Sequence, residues 1–446
     1  MKKNRGIKLS TMQIIAIVFA ALIVVGTILL SLPFATRSGR SCGVLPALFT
    51  ATSATCVTGL SLFDTGSQWN GFGQIVILCL IEIGGLGFMS AASVVLFLFR
   101  RKIGLRQRMV MAQAMSLNEM DGVVRLQKWV LLGSLIIQGT GIAILFLRFL
   151  PDFGFRRALI WGVFHGISAF CNAGFDIFGT GQSIMHLNGD PVVLLTLSGL
   201  IVIGGLGFFV WEEVLTERHF RKLSVYTKLV LVASGMLILA GMALFLLLEW
   251  NNPRTIGNMP VWQKLLNALF QSVSLRTAGF AAVDQAGLTE AGKGISIVLM
   301  LIGGSSGSTA GGLKTVTFVV LLLFVWNRIR GRSGVTVFKR TIPSGKVLDA
   351  VTIVSVMVGL AMAGAVFISA TSRVSFLDSL YETASALGTV GLTAGVTGSL
   401  GIPAQLLIIV FMYFGRVGIL TISLGFLMGD KAQERFRYAD TNLLIG

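Results

Sequence analysis

The 446-residue sequence predicts an all-α polytopic membrane protein composed of four parallel repeats. Three observations predict this fold class. Hydrophobic residues make up 54% of the chain and charged residues only 12%, eight apolar runs are long enough to cross a bilayer, and glycine motifs recur at a nearly constant spacing. A soluble domain carries about 25% charged residues. The composition therefore excludes a secreted, a disordered or an ordinary cytosolic protein.

The eight apolar runs are predicted to be membrane-spanning helices, because a bilayer core needs roughly 20 apolar residues per helix. Five runs are uncharged and cover residues 14–32, 129–147, 191–211, 229–248 and 350–372. The other three contain a charged side chain: Glu82 in 74–99, Lys314 in 295–326 and Arg416 in 402–428. The first run follows basic residues as a signal peptide does, but seven more runs come after it, so we interpret it as a retained span.

The basic residues indicate the orientation of these spans. Eight spans place both termini on one side of the membrane, and that side holds 24 of the 36 Lys and Arg residues. Short loops rich in Lys and Arg stay in the cytoplasm. The net charge of +17 is therefore a topology signal. We expect a multi-pass protein of the cell membrane with both termini cytoplasmic, in contact with the lipid bilayer and without a nucleic-acid partner.

Four glycines mark an internal repeat. Each follows an apolar stretch of about 12 residues that joins two spans on the outer side and is too short to cross the membrane. The four glycines are 115, 105 and 112 residues apart, and a second glycine motif follows each of them after 24 to 30 residues. The first glycines are Gly59, Gly174, Gly279 and Gly391, and the second motifs begin at Gly84, Gly204, Gly303 and Gly415. Chance does not readily supply four such pairs in phase.

The four copies are assigned to residues 1–105, 106–222, 223–335 and 336–446. Each is predicted to contain a helix, a re-entrant pore helix, an extended segment and a second helix. Because every copy begins and ends in the cytoplasm, the copies are parallel and are related by an axis along the membrane normal. Four such copies enclose a central ion pathway. Three copies also have a serine six residues before the glycine: Ser53, Ser168 and Ser385. The third copy has Val273 at the equivalent position.

The extended segments after the pore helices, which we name the filter segments, predict selection of a cation. Irregular backbone at membrane depth must be buried or line water, and rings of backbone carbonyls can replace the hydration shell of an ion. Glycine reaches the positive φ that turns carbonyls to the axis, and the negative ends of the pore helices favour a cation. The predicted ion-binding residues are Cys56, Val57, Thr58, Gly59, Cys171, Asn172, Ala173, Gly174, Arg276, Thr277, Ala278, Gly279, Gly388, Thr389, Val390 and Gly391.

A second reading is that these glycines only permit close helix packing. It accounts for the glycine pairs inside the spans, but not for the re-entrant lengths or the fourfold phase. The filter segments contain no acidic residue, and Arg276 stands in the third one. We therefore expect carbonyl oxygens, and not a ring of carboxylates, to select the ion.

These motifs resemble those of the Trk/Ktr/HKT superfamily of cation transporters, most closely the membrane subunit of bacterial Ktr potassium uptake systems. The resemblance covers nearly the whole chain and is carried by ATCVTGL at 54–60, RTAGF at 276–280 and GTVGL at 388–392, with Cys56 standing where threonine is expected. It implies K+ as the transported ion, since glycine in all four filters accompanies K+ selectivity in the family. It also implies a homodimer, a cytosolic ring of nucleotide-binding regulatory subunits and no cofactor in this chain, with K+ bound at the filter only.

A glycine- and serine-rich stretch interrupts the run at 295–326. Its five glycines oppose a helix by about 1 kcal/mol each, and the exposed polar groups of a broken helix must line a cavity. We expect a loop below the filter that acts as a gate, as the resemblance also implies. The alternative is a packing face of small residues. The predicted gate residues are Gly303, Gly304, Ser305, Ser306, Gly307, Ser308, Thr309, Ala310, Gly311, Gly312, Lys314 and Arg416.

Arg416 lies about halfway along the last apolar run. A central arginine costs at least about 2.5 kcal/mol on insertion scales, so it should face the interior with a partner. We expect carbonyls of the 303–312 loop as that partner, with Glu82 as the second candidate. A purely structural pair of Arg416 and Glu82 is the alternative.

Two other functions remain open from the sequence. The first is a Na+-conducting member of the same superfamily, or one that couples K+ uptake to Na+ by symport. The second is a multipass membrane enzyme. The stretch around Ser306, together with His165, imitates an intramembrane serine protease, but the match is short and the two residues belong to different copies. We therefore expect no enzymatic activity.

Overall fold

The computed structural model describes residues 11–87, 123–332 and 334–418 and is predominantly helical. Copy one contains α1 (Thr11–Ser31), α2 (Val44–Thr55), the single turn α3 (Thr65–Gln68) and α4 (Gly71–Leu86). Copy two contains α5 (Val123–Phe170), α6 (Pro191–Leu206) and α7 (Phe208–Glu217). Copy three contains α8 (Val225–Glu249), α9 (Val261–Ser274), α10 (Glu290–Leu301) and α11 (Thr315–Ile329). The hairpin of β1 (Val335–Val337) and β2 (Arg340–Ile342) crosses the boundary between copies three and four, and copy four continues with α12 (Ser344–Ser372), α13 (Phe376–Gly388) and α14 (Ile402–Val417).

Single 3-10 turns lie in the connections, at Pro33–Ala35, Met185–Leu187, Phe220–Lys222 and Thr397–Ser399. Helix α5 consists of two helices that meet at Gly154, whose φ of 72° and ψ of 166° are not helical. The part before Gly154 is the first helix of copy two, and the part after it is the pore helix. Pore helices are therefore present in all four copies, as α2, the second part of α5, α9 and α13.

The first helix of each copy is long and the second is short. Among the described residues, α1, α5, α8 and α12 have the length and hydropathy to cross a membrane, and the bent pair α6 and α7 is a fifth candidate. Helices α4, α6 and α14 each contain 16 residues, which is about 24 Å against a core of about 30 Å. Each of the three ends at a glycine with φ between 86° and 98°: Gly87, Gly207 and Gly418.

The predicted span at 191–211 is not one straight helix. The chain turns by 94° between α6 and α7, because Gly207 adopts a φ of 98° that ends the helix inside an apolar run. The run at 295–326 is broken as predicted. The ends of the predicted spans 74–99 and 402–428, and the boundary between residues 105 and 106, lie outside the described residues.

The contacts between helices arrange the copies in a closed cycle. Each of the pore helices α2, α9 and α13 packs against the first helix of its own copy. Between copies, α4 contacts α5, α6 contacts α9, α10 contacts α13, and α14 returns to α2. Copies one to four therefore follow one another around a single axis, and the fourth packs against the first.

The second glycine motifs allow the short helices to approach the pore helices. A Cβ atom on Gly84 would overlap the carbonyl of Thr55, the last residue of α2. In the same way, a Cβ atom on Gly204 would overlap the carbonyl of Phe170, and a Cβ atom on Gly415 would overlap the carbonyl of Leu387. In copy three the equivalent Gly303 meets Gly311 of the 303–312 loop instead, because the second helix is broken there.

Candidate ion pathway

The four glycines of the filter segments meet in a closed ring. A Cβ atom added to Gly59 would lie 2.5 Å from the carbonyl oxygen of Ala173, which precedes the glycine of the next copy. The equivalent pairs, all within 3.0 Å, are Gly174 with Ala278, Gly279 with Val390 and Gly391 with Thr58. Four equivalent carbonyls thus gather around one axis, and a side chain on any of these glycines would collide with the neighbouring copy.

Two residues in every filter segment have left-handed backbone. The glycines have φ between 69° and 96°, and the residues two positions before them have φ between 50° and 71°: Val57, Asn172, Thr277 and Thr389. The residue between them is not left-handed in any copy. This alternation turns consecutive carbonyls toward one side of the chain, as a carbonyl-lined filter requires. A left-handed β-branched residue costs roughly 1–2 kcal/mol, and such strain is concentrated at functional sites.

Serine hydroxyls attach the filter segments to their pore helices, which explains the serine spacing. In copies one and four the hydroxyl accepts the N–H of the glycine, and in copies two and three a serine hydroxyl donates to the carbonyl after the glycine. The third copy uses the serine next to Val273. The pairs are Ser53 with Gly59 (3.0 Å), Ser385 with Gly391 (3.0 Å), Ser168 with Phe175 (2.8 Å) and Ser274 with Phe280 (2.6 Å).

Two buried side chains position the backbone beyond the glycine in copies two and four. The N–H of Ile177 donates to His165 Nε2 at 3.4 Å, and the N–H of Ala394 donates to Glu382 Oε1 at 3.1 Å. Glu382 also accepts the hydroxyl of Thr397 at 2.8 Å. Both acceptors stand nine residues before the glycine, and both N–H groups belong to the third residue after it. Neither side chain is among the predicted filter residues, although their equal offset is visible in the sequence.

A vestibule of about 620 Å³ opens on the side of the ring where the filter segments end. The four filter glycines line it together with residues that follow them in every copy. Three of the four copies contribute an aspartate: Asp64, Asp176 and Asp284. A cavity wall of one charge sign raises the local concentration of the opposite ion, so this vestibule favours cations.

Several predicted filter side chains point away from the ring. The guanidinium of Arg276 donates to the hydroxyls of Ser234 at 3.3 Å and Thr315 at 3.2 Å, so its charge lies behind the filter. The thiol of Cys171 donates to Glu82 at 3.3 Å. Of these two residues, only the backbone faces the ring.

Residues 303–312 form a loop between α10 and α11, as predicted. Its base is closed, because the N–H of Gly303 donates to the carbonyl of Leu313 at 2.8 Å. The hydroxyl of Thr315 also donates to the carbonyl of Gly303 at 2.9 Å. Lys314 donates to the carbonyl of Ala310 at 2.9 Å, within the same loop.

The 303–312 loop contacts the filter segments directly. The hydroxyl of Thr309 is 3.1 Å from the carbonyl of Phe170 and 3.3 Å from Oδ1 of Asn172. A Cβ atom on Gly311 would overlap the hydroxyl of Thr389. Asn172 and Thr389 are the left-handed residues of copies two and four. The loop thus lies against the filter on the side opposite to the vestibule.

Arg416 joins three copies through backbone carbonyls. It donates to the carbonyl of Thr309 in the 303–312 loop, to that of Gly84, and to that of Gly85 at 2.9 Å. The expected loop carbonyl is therefore present. Glu82 is not a partner of Arg416, because it accepts the amide of Gln138 at 3.1 Å and the thiol of Cys171. Among the described residues, the three hydrogen-bond partners of Arg416 are neutral carbonyls, so none of them cancels its positive charge.

Known proteins match this chain over nearly its full length. The family profile TrkH, described as a cation transport protein, matches residues 2–435. The potassium/sodium uptake protein NtpJ of Enterococcus hirae is 39% identical, over 100% of this chain and 99% of its own. The Ktr system potassium uptake protein B is 38% identical in Bacillus subtilis, over 100% and 99%, and 39% identical in Vibrio alginolyticus, over 97% and 94%.

The fold also matches a solved structure. The crystal structure of the potassium transporter TrkH from Vibrio parahaemolyticus superposes with a TM-score of 0.73 and 18% identity, covering 95% of this chain and 86% of that one. At this identity the match supports the fold alone. The family profile and the relatives establish the membership: the chain belongs to the TrkH family of cation transport proteins, which are membrane transporters and not enzymes.

Proposed function

We propose that this protein is the K+-translocating subunit of a potassium uptake system and selects K+ with the backbone carbonyls of its four filter segments. The observation that carries this proposal is the closed ring of Gly59, Gly174, Gly279 and Gly391. Carbonyls held at a fixed spacing replace the water of a dehydrated K+ ion. The names of the relatives, which describe potassium uptake, support the same ion.

We also propose that the 303–312 loop and Arg416 form the gate. The loop lies against the filter, so an ion that leaves the filter meets it next. Arg416 adds a positive charge at this point, and its carbonyl partners leave that charge in place. A cation at short range from an uncancelled positive charge is repelled strongly in a medium of low dielectric constant. Conduction then requires the loop and Arg416 to move.

The setting of the protein follows from the same proposal. The chain is a multi-pass protein of the cell membrane with both termini cytoplasmic, as its Lys and Arg distribution favours. It works as a homodimer together with a cytosolic ring of nucleotide-binding regulatory subunits. The word system in the names of two relatives is consistent with a separate partner. The chain needs no cofactor, and K+ binds at the filter only.

Coupling to Na+ is a second candidate. One relative, 39% identical over the whole chain, is named a potassium/sodium uptake protein. A Na+-driven symport, or activation by Na+, would give K+ uptake that rises with an inward Na+ gradient. Uptake that is independent of Na+ would exclude this candidate.

The test is cation flux into liposomes that contain the purified chain, with K+, Rb+ and Na+ compared. Gly59→Ser should admit Na+, because the new side chain collides with the carbonyl of Ala173. Gly39→Ser is the matched control, since Gly39 has a similarly positive φ of 67° but nothing within 4 Å of its added Cβ atom. Equal selectivity in both variants would contradict the filter. Absence of any cation flux in the native chain and in Arg416→Gln would contradict translocation itself.

A further inference from the structure

The connection between copies two and three holds the tip of the 303–312 loop. The N–H of Phe208, the first residue of α7, donates to the carbonyl of Gly307 at 2.8 Å. The hydroxyl of Tyr226, in the first turn of α8, donates to the carbonyl of Ser306 at 3.1 Å. Two consecutive carbonyls of the loop are therefore bound by the two ends of one connection.

This connection is tied together as a unit. Glu213 of α7 accepts the hydroxyl of Ser224 at 2.7 Å, together with the hydroxyl of Thr227 at the start of α8. The rings of Phe209 and Tyr226 meet edge to face with their centroids 6.2 Å apart. A displacement of α7 would therefore carry Tyr226 with it. Helix α7 is not continuous with α6, because the chain turns by 94° at Gly207, which has a φ of 98°.

The loop itself has little stiffness, because five of its ten residues are glycine. Bonds from its surroundings must therefore decide where it lies. Thr309 is bound from the filter side and by Arg416, whereas Ser306 and Gly307 are bound by the connection alone among the contacts described above. The connection lies on the proposed cytoplasmic side, where a regulatory partner could act on it.

We propose that Tyr226 is a positioning residue that keeps the 303–312 loop in its closed place, and that α7 is the lever that transmits cytoplasmic movement to the loop. The inference rests on the proposed gate function. Pulling α7 about Gly207 would withdraw the N–H of Phe208 and the hydroxyl of Tyr226 together, releasing two adjacent carbonyls of the loop. The filter segments would stay in place, so selectivity would be unchanged while the rate of conduction rises.

Tyr226→Phe tests this role, because it removes the hydroxyl and keeps the ring against Phe209. We expect Rb+ flux into liposomes, without any partner protein, to rise about two- to tenfold, which is the range that the loss of one neutral hydrogen bond allows. The ratio of Rb+ to Na+ flux should stay that of the native chain. Tyr413→Phe is the control, since it removes a comparable hydroxyl that donates to the carbonyl of Ala16 in α1 at 2.7 Å and not to the 303–312 loop.

Hydrogen exchange of the full-length chain supplies a second readout that does not depend on conduction. Peptides covering 303–312 should exchange faster in Tyr226→Phe and at the native rate in Tyr413→Phe. If the 303–312 peptides exchange faster in Tyr226→Phe but no variant conducts any cation, the result supports the positioning role of Tyr226 and contradicts the gate. If the native chain conducts Rb+ and Tyr226→Phe shows the same flux and the same exchange as the native chain, the inference is overturned and the proposed function stays intact. A rise in Na+ flux would also overturn it, because the change would then have reached the filter.

Discussion

The hydroxyl of Thr309 in the 303–312 loop donates a hydrogen bond to Oδ1 of Asn172 in the second filter segment, at 3.3 Å. The amide of Asn172 in turn donates to the hydroxyl of Thr277 in the third filter segment, at 3.2 Å. One side chain thus connects two filter segments with the loop that lies against them. Asn172 therefore serves the filter through Thr277 and the loop through Thr309, by two separate hydrogen bonds.

Replacing Asn172 should alter selectivity and gating together. Asn172→Gly removes both hydrogen bonds and still suits the φ of 57°. We expect more Na+ permeation and several-fold more basal Rb+ flux. Thr309→Val, which leaves the bond to Thr277 intact, should raise the basal flux alone. Flux ratios in liposomes distinguish the two, and a change in only one property of Asn172→Gly would contradict the connection.

Neutralising Arg416 should open the proposed gate. Arg416→Gln removes an uncancelled charge and weakens the hold on Thr309, Gly84 and Gly85, so we expect basal Rb+ flux to rise about tenfold or more. One factor of ten corresponds to about 1.4 kcal/mol in the barrier. Arg148→Gln is the control, because Arg148 is partly exposed and pairs with Asp152 outside the pathway. A Rb+ flux in Arg416→Gln equal to that of the native chain would show that Arg416 is not part of the gate.

Glu382 should be required for selectivity, beyond any role in stability. Glu382→Gln places an N–H₂ group against one of two donors, the N–H of Ala394 or the hydroxyl of Thr397, because these bind different carboxylate oxygens, and an unsatisfied buried donor costs about 1–3 kcal/mol. We expect a lower Tm and a smaller preference for Rb+ over Na+. Glu249→Gln makes the same change at another fully buried carboxylate that accepts several hydrogen bonds, away from the filter.

The Glu249→Gln variant should therefore lose stability and keep its selectivity. Thermal unfolding in detergent measures the first property, and liposome flux measures the second. If both variants lose selectivity to the same extent, the effect arises from global loosening of the fold, and Glu382 has no special place at the filter.

The vestibule aspartates should concentrate cations before they enter the filter. Asp284→Asn removes one negative charge from the half-buried part of its wall, so we expect K+ uptake to fall about two- to threefold at low K+ and low ionic strength and to approach the native rate at high salt, where charges are screened. Asp152→Asn removes a negative charge outside the vestibule and should leave uptake unchanged. A loss that is the same at every ionic strength would argue against electrostatic concentration.

The sequence by itself determines the four copies, their parallel order, the pore helices, the filter glycines and the break at 303–312. These features depend on local properties: the number of apolar residues that crosses a bilayer, the conformations open to glycine, and the spacing of equivalent motifs. The serine six residues before the glycine is also visible, but only the structure supplies its reason, the bond from Ser53 to Gly59.

The tertiary structure decides which groups meet. Hydropathy cannot reveal the turn at Gly207, because the apolar run at 191–211 continues across it and the positive φ of one glycine breaks the helix. The partners of Arg416 belong to other copies, and Gly84 is 332 positions away in the chain. Every residue has a backbone carbonyl, so the sequence does not distinguish the ones that bind Arg416. The way the copies close around the axis decides that Arg416 binds the carbonyls of Gly84 and Thr309 and not the side chain of Glu82. The same closure brings each filter glycine against the carbonyl of its neighbour.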